Sequence, residues 1–168
     1  IAVTDWFGGE PYGVWPWARP RLGTAQPAVL SLADGIQVEQ IAALKPDLIV
    51  ATNAGLDQAT YEKLTAIAPT VAQSGRDAFF EPWRDQAGII GQATYHHDDM
   101  QKLVADVDAA FRSVKDNNPQ FADKKVLLLD GTLDRDGVRV SGPAWRREFL
   151  AEMGFAVGGS DALIPRAK

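Results

Sequence analysis

The chain has 168 residues, a formal net charge of −5, 46 % hydrophobic and 23 % charged residues, and no cysteine. That length suits one ordinary domain or parts of two small lobes, and the composition is globular, with no low-complexity tract. The acidic balance leaves no basic stripe to neutralise phosphates, which argues against nucleic acid as a partner; the missing cysteines remove disulfides, thiol catalysis and thiolate-held metals.

The opening "IAVTD" reads as a strand already under way, so the sequence is expected to be processed, truncated or an excerpt of something longer. Residues 5–20, "DWFGGEPYGVWPWARP", follow as a turn-rich loop. Trp6, Phe7, Tyr12, Trp15 and Trp17 sit there among glycines and prolines, with no helical or strand period. "PAVLSL" (27–32) is a second candidate strand. In "VEQIAAL" (38–44), Val38, Ile41 and Ala42 share a helical face, and Lys45-Pro46 ends that helix. "DLIVAT" (47–52) is a continuous apolar run, predicted as a central parallel strand buried on both faces.

The pattern then repeats. Residues 56–68 carry Tyr61, Leu64, Ile67 and Ala68 at helical spacing and stop at Pro69, and "TVAQ" is a short strand. "PWRDQAGIIGQA" (82–93) begins with proline, where a helix tolerates it best. From 98 to about 116, Met100, Leu103, Val104, Val107, Phe111 and Val114 hold a helical period, giving roughly 28 Å of unbroken helix at about 1.5 Å per residue. "HHDD" places acidic residues at its start and "NNP" stops it. "KKVLLLDG" reads as another buried strand, and "PAWRREFLAEMG" as another helix closed by Gly154. Strands alternating with helices over short connections imply an α/β class with parallel sheets.

The stretch "DGIQVEQIAALKPDLIVATNAG", with "LTAIAPTVA", "PWRDQAGIIGQA" and the long helix after it, resembles the substrate-binding proteins of ABC importers for ferric siderophores, haem and cobalamin. Within that family it is similar to the siderophore-binding lipoproteins of mycobacterial type. The resemblance covers nearly the whole chain. It implies a two-lobed periplasmic-binding-protein architecture with a stiff connecting helix: residues 1–96 as the first lobe without its first strand–helix unit, 97–118 as the connecting helix, and 119–168 as the start of the second lobe. The chain then looks like an incomplete copy. Also implied are an extracytoplasmic, lipid-anchored, monomeric protein, a permease partner, and no intrinsic cofactor, the iron chelate being cargo.

Ligands of open parallel sheets sit outside the carboxyl ends of the strands. Trp6, Phe7, Tyr12, Trp15 and Trp17 follow the first strand and suit stacking on a flat, bulky ligand. Arg19 suits an anionic group. Asp34, Asn53, Phe79, Phe80, Trp83 and Arg84 fall at later strand ends; Trp83 reads equally well as first-turn helix packing. Asp130, Gly131, Arg139, Trp145 and Arg146 are implied on the second-lobe side, with Arg146 and Arg147 readable as solvated helix residues. The family's permease-docking glutamate corresponds to Glu39, which also reads as an ordinary helix-start carboxylate. Its second-lobe counterpart corresponds to Ala167, which has no charge.

His96-His97 lacks the i, i+4 spacing of a helical metal pair and reads as surface and capping. Asp134 and Asp136 in "DRDG" read as a hairpin turn, since an EF-hand's closing glutamate is missing. No Gly-x-Ser-x-Gly, phosphate loop or dinucleotide fingerprint occurs, and neither histidine is placed to serve Ser141. The expectation is therefore a non-enzymatic binder of ferric siderophores. Haem or cobalamin binding, an α/β adaptor, and a sugar- or nucleotide-handling enzyme are the alternatives.

Overall fold

The computed structural model describes residues 1–5, 10–75, 77–79, 81–130, 137–140, 144–158 and 163–165, by backbone alone at 130, 137–140, 144, 145 and 163–165. The chain divides into two compact units, Ile1–Glu81 and Pro82–Lys168.

In the first unit, β1 (Ala2–Thr4) is followed by the aromatic loop, one turn of helix α1 (Arg19–Leu22), and β2 (Ala28–Leu30). β1 and β2 pair in parallel, Ala2 opposite Ala28 and Thr4 opposite Leu30. Helix α2 (Val38–Ala43) leads to β3 (Ile49–Ala51), and α3 (Gln58–Thr65) leads to β4 (Thr70–Ala72). β3 and β4 are also parallel, with Ile49 opposite Thr70. Asp57 caps α3 by accepting the Thr60 N–H at 2.7 Å, and hydrogen bonds from the Thr60 side chain and backbone hold its carboxyl below the usual carboxylate range. The core gathers on the inner face of α3: Ala51, Leu56 and Leu64 are buried, with Ile36, Val38, Ile41, Ile49, Tyr61 and Ile67 packed against them. The apolar period of residues 56–68 is thus spent on one contact face.

One expectation needs correction. The 47–52 run is parallel as expected, but among the described residues β3 is hydrogen-bonded only to β4, in a two-stranded ladder separate from β1–β2. It is therefore one-sided, with Ala51 7 % and Val50 47 % exposed. Among the described residues no strand pairs with its second edge.

In the second unit, α4 (Trp83–Ala93) and α5 (His97–Asn117) pack together, and α5 is unbroken, with Asp98 and Asp99 in its first turn. A Cβ at Gly91 would come within 2.7 Å of the Met100 Cβ, so the bare glycine permits this close helix approach. "KKVLLLDG" is two strands rather than one, β5 (Lys125–Val126) and β6 (Leu129–Asp130). The chain changes partner after Val126: β6 pairs antiparallel with β7 (Gly137–Val140). Gly131, Asp134 and Asp136, with the turn expected at "DRDG", lie outside the described residues. "PAWRREFLAEMG" begins as a 3-10 turn (Ala144–Arg147) before α6 (Glu148–Glu152). β5 pairs in parallel with β8 (Ala156–Val157), and β7 also pairs with β9 (Leu163–Pro165). Phe111 meets Phe149 at 6.4 Å between ring centroids, and Phe121 stacks on Phe155 at 4.2 Å. These contacts seat α6 and β8 against α5 and the turn after it.

Arg84 ties three helices of this unit together. Its guanidinium donates to Asp108 of α5 and, at 2.8 Å, to Glu152 of α6, and the two carboxylates raise its pKa, the Glu152 bond most. Arg84→Ala is expected to cost about 1–2 kcal/mol, the upper range for two partly exposed pairs. A shift of the unfolding midpoint below about 1 °C would show that the network contributes nothing to stability.

Candidate functional site

The carboxyl ends of β1 and β2 are joined by Asp5. Its N–H donates to the Leu30 carbonyl at 3.1 Å, and its Oδ1 accepts the Leu32 N–H at 3.0 Å. The turn beyond β2 carries Asp34, exposed, and Gly35, whose carbonyl accepts the Gln37 side-chain amide at 3.1 Å. The aromatic loop returns against the same strand end. Gly13 takes a left-handed φ of +61°, and a Cβ there would lie 2.6 Å from the Thr4 carbonyl oxygen, so glycine is required at that crossing.

Within the loop, Tyr12 is half-buried with φ +61°. Tyr12 and Arg19 line one cavity of about 290 Å³ with Leu22 and Thr24. The Arg19 guanidinium is ion-paired with Glu10, so an anion at Arg19 would compete with that carboxylate. Trp15 and Trp17 are 46 % and 79 % exposed. The backbone under them is a helical turn, in which the Trp15 carbonyl accepts the Ala18 N–H at 2.9 Å. Trp17 thus presents a large apolar ring to solvent from a fixed loop segment. Trp6 and Phe7 lie outside the described residues.

At the ends of β3 and β4 a second cluster forms. The Asn53 Oδ1 accepts the Glu81 N–H at 2.8 Å, and the Glu81 Oε2 accepts the Ser74 N–H at 2.8 Å. Gly55 donates to the Ala78 carbonyl at 2.8 Å, and Gln73 donates to the Leu56 carbonyl at 2.9 Å. Together these bonds hold Ala78 and Glu81 against the turn after β3. The Phe79 ring rests on Gly55 so closely that a Cβ there would meet ring carbons at 2.3 Å, yet Phe79 stays 56 % exposed. Glu81 is buried at 5 % exposure. Sequence reasoning missed Asp5, Gln73 and Glu81 as positioning residues; the visible signals were an acid closing a strand and an acid directly before Pro82. Phe80 lies outside the described residues.

The remaining expected residues, Glu39 apart, belong to the second unit. Trp83 is half-buried, with the Arg84 guanidinium 4.4 Å from its ring centroid. Arg84 is engaged by Asp108 and Glu152 as described above. Arg139 stands in β7 opposite Asp130, and Trp145 lies in the 3-10 turn, their side chains outside the description. Arg147 is buried at 5 % exposure, which excludes the solvated reading for that residue. Glu39 is exposed in the first turn of α2. His96 pairs with Asp99 at 3.2 Å, and among the described residues no group of three metal-ligating side chains forms. No helix among them is long and apolar enough to cross a membrane.

Parallel strands joined through helices define an α/β fold, and the loops after its strands carry exposed aromatic rings. Comparison with known proteins makes the assignment specific. The chain belongs to the periplasmic binding protein family, whose profile matches residues 1–157. It is similar to a solved periplasmic solute binding protein from Mycobacterium smegmatis, at 64 % identity and a TM-score of 0.92, over 98 % of this chain and 58 % of that one. It is also similar to the Fe(3+)-citrate-binding protein YfmC of Bacillus subtilis, 29 % identical over 118 residues, which are 70 % of this chain and 37 % of that protein. The probable siderophore-binding lipoprotein YfiY of the same organism is 33 % identical over 92 residues, 55 % of this chain and 27 % of that one. The chain thus spans less than two thirds of the length of each of these relatives. The family is one of binding proteins, not enzymes, and the resemblance read from "DGIQVEQIAALKPDLIVATNAG" is correct.

Proposed function

We propose that this protein captures a ferric chelate of the siderophore or citrate class outside the cytoplasm and delivers it to an ABC permease. The observation that carries the reading is the Trp15–Trp17 segment, which offers exposed rings in the loop that follows β1, in a family member whose curated relatives are named for ferric citrate and siderophore binding. Iron is cargo, and the protein contributes stacking and charge neutralisation without a cofactor of its own. In this reading residues 1–96 serve as the first lobe, 97–118 as the connecting helix and 119–168 as the opening of the second. The protein works as a monomer, tethered by a lipid anchor outside this sequence.

Titration of tryptophan fluorescence with ferric citrate, a ferric trihydroxamate, a ferric catecholate and haem tests it. Saturable quenching by at least one iron chelate, and much weaker quenching by its iron-free form, is expected. Quenching by none of the iron chelates would overturn the reading, and quenching by haem alone would move the ligand class.

Docking is tested separately at Glu39, which is exposed on α2 and is not among the strand-end residues. Glu39→Arg is expected to leave chelate affinity within about two-fold while cutting uptake at least about ten-fold, by replacing attraction to a permease cation with repulsion. Unchanged uptake would reduce Glu39 to a helix-start carboxylate.

A further inference from the structure

Two of the arginines expected to meet an anionic cargo, Arg19 and Arg84, are already engaged. Arg84 is held by Asp108 and Glu152. Arg19 donates to the Glu10 Oε2, and this pair belongs to the aromatic loop itself, with Trp15 and Trp17 in the chain between its members.

The acid is the less exposed partner, its side chain 25 % exposed against 48 % for Arg19. The Glu10 carbonyl accepts the Gly13 N–H at 3.1 Å, and the Arg19 N–H donates to the Trp15 carbonyl at 3.2 Å. The two main chains are thus held where the pair forms. The cavity of about 290 Å³ beside Arg19 has no second charged residue in its lining, and its other polar side chains are Tyr12, Thr24 and Gln26. With Glu10 counted, the place is polar and uncharged overall. Charge around it has the same sense. Residues 1–35 hold Asp5, Glu10 and Asp34 against Arg19 and Arg21, a net charge of −1. Arg21 falls about 200° round the helical turn from Arg19, on its opposite face.

Ferric chelates differ sharply in charge. Three hydroxamates, each giving up one proton, cancel the charge of the ferric ion. Three catecholates, each giving up two, leave a triple anion, and citrate complexes are anionic as well. Exposed rings beside a neutralised guanidinium give the first class a stacking surface and offer the others no unpaired cation at Arg19. An anion entering there either displaces Glu10 or lies beside it, and like charges brought together at a binding face cost affinity. We propose that Glu10 is a specificity-determining residue: by neutralising Arg19 it turns the aromatic loop toward neutral ferric chelates of the hydroxamate class and against polyanionic ones. The proposal rests on the capture of a ferric chelate at this loop and names the cargo class within that reading.

Tryptophan-fluorescence titration with a neutral ferric trihydroxamate, a ferric tris-catecholate and ferric citrate, at low and high salt, tests this. The unaltered protein is expected to bind the trihydroxamate at least about ten-fold tighter than either anion. Glu10→Gln keeps the shape and frees Arg19 of its counter-charge. It is expected to tighten both anionic chelates about five-fold at low salt, and less at high salt, where exposed charges are screened. The trihydroxamate should stay within about two-fold, and the unfolding midpoint within about 2 °C, so that folding does not enter the comparison. Adding Arg19→Gln should remove the gain. Asp116→Asn, which changes the net charge equally near the end of α5, should alter none of the three affinities.

Three results would overturn the proposal. Tighter binding of an anionic chelate than of the trihydroxamate by the unaltered protein would show that the loop does not select by charge in this direction. Equal weakening of all three by Glu10→Gln would make the pair a brace that holds the loop in shape. Unchanged affinity for both anions in Glu10→Gln would place the pair away from the cargo. Quenching by no chelate at all is a different failure, which removes the capture reading and this selectivity with it.

Discussion

Leu64→Ala is expected to lower the stability of the protein by about 3–4 kcal/mol, the upper half of the range for a buried leucine. Leu64 is 1 % exposed and is the largest fully buried side chain among the described residues. Its buried apolar neighbours are Ala51 and Leu56. An alanine has no side chain to swing into a void, and α3 is held at its start by the Asp57 cap, so the cavity left by truncation collapses little. Leu64→Met keeps the volume and should cost less than about 1.5 kcal/mol. Denaturant unfolding of both variants decides the matter. A loss below about 1 kcal/mol for Leu64→Ala would mean that α3 is not seated on the core as described.

Trp17→Ala should do the reverse, costing binding rather than folding. At 79 % exposure the ring contributes little to the fold, and its removal should shift stability by less than about 0.5 kcal/mol. If Trp17 covers the chelate, its loss removes an aromatic anchor worth about 2 kcal/mol or more, a roughly thirty-fold weaker complex. Trp15, at 46 % exposure, divides its surface between loop and solvent, so Trp15→Ala should show both effects, each in smaller measure. Chelate titration and thermal unfolding on the same preparations separate the two roles. Unaltered affinity in Trp17→Ala would take the loop out of the binding site.

Local patterns made most of the secondary structure legible. Proline at 46, 69 and 82 and the helical periods of 56–68 and 98–116 fall where α2, α3, α4 and α5 stop or start. What the pattern could not show was partnership between distant segments. An apolar run such as 47–52 reads the same whether it has a neighbour on both edges or one, so the open edge of β3 was invisible. "KKVLLLDG" reads as one strand because its change of partner depends on β7 and β8, downstream in the chain. At the site, the aromatic loop was legible because clustered rings among glycines and prolines have no place in a regular element. The positioning groups were not: Glu81 finds Asn53 across 28 residues, and Arg84 finds Glu152 across 68. Nothing in the immediate neighbourhood of Arg84 reveals the two carboxylates that other helices supply to it.

The ring of Phe79 standing where Gly55 would otherwise carry a Cβ sets an order on how this turn can change by descent. With the phenyl group in place, any side chain at 55 must evict it, adding a steric penalty to that of the left-handed backbone. Once position 79 has shrunk, only the backbone penalty remains. A side chain at 55 therefore requires the exposed Phe79 ring to turn away as well as a left-handed backbone, so what a substitution at 55 costs depends on which residue stands at 79.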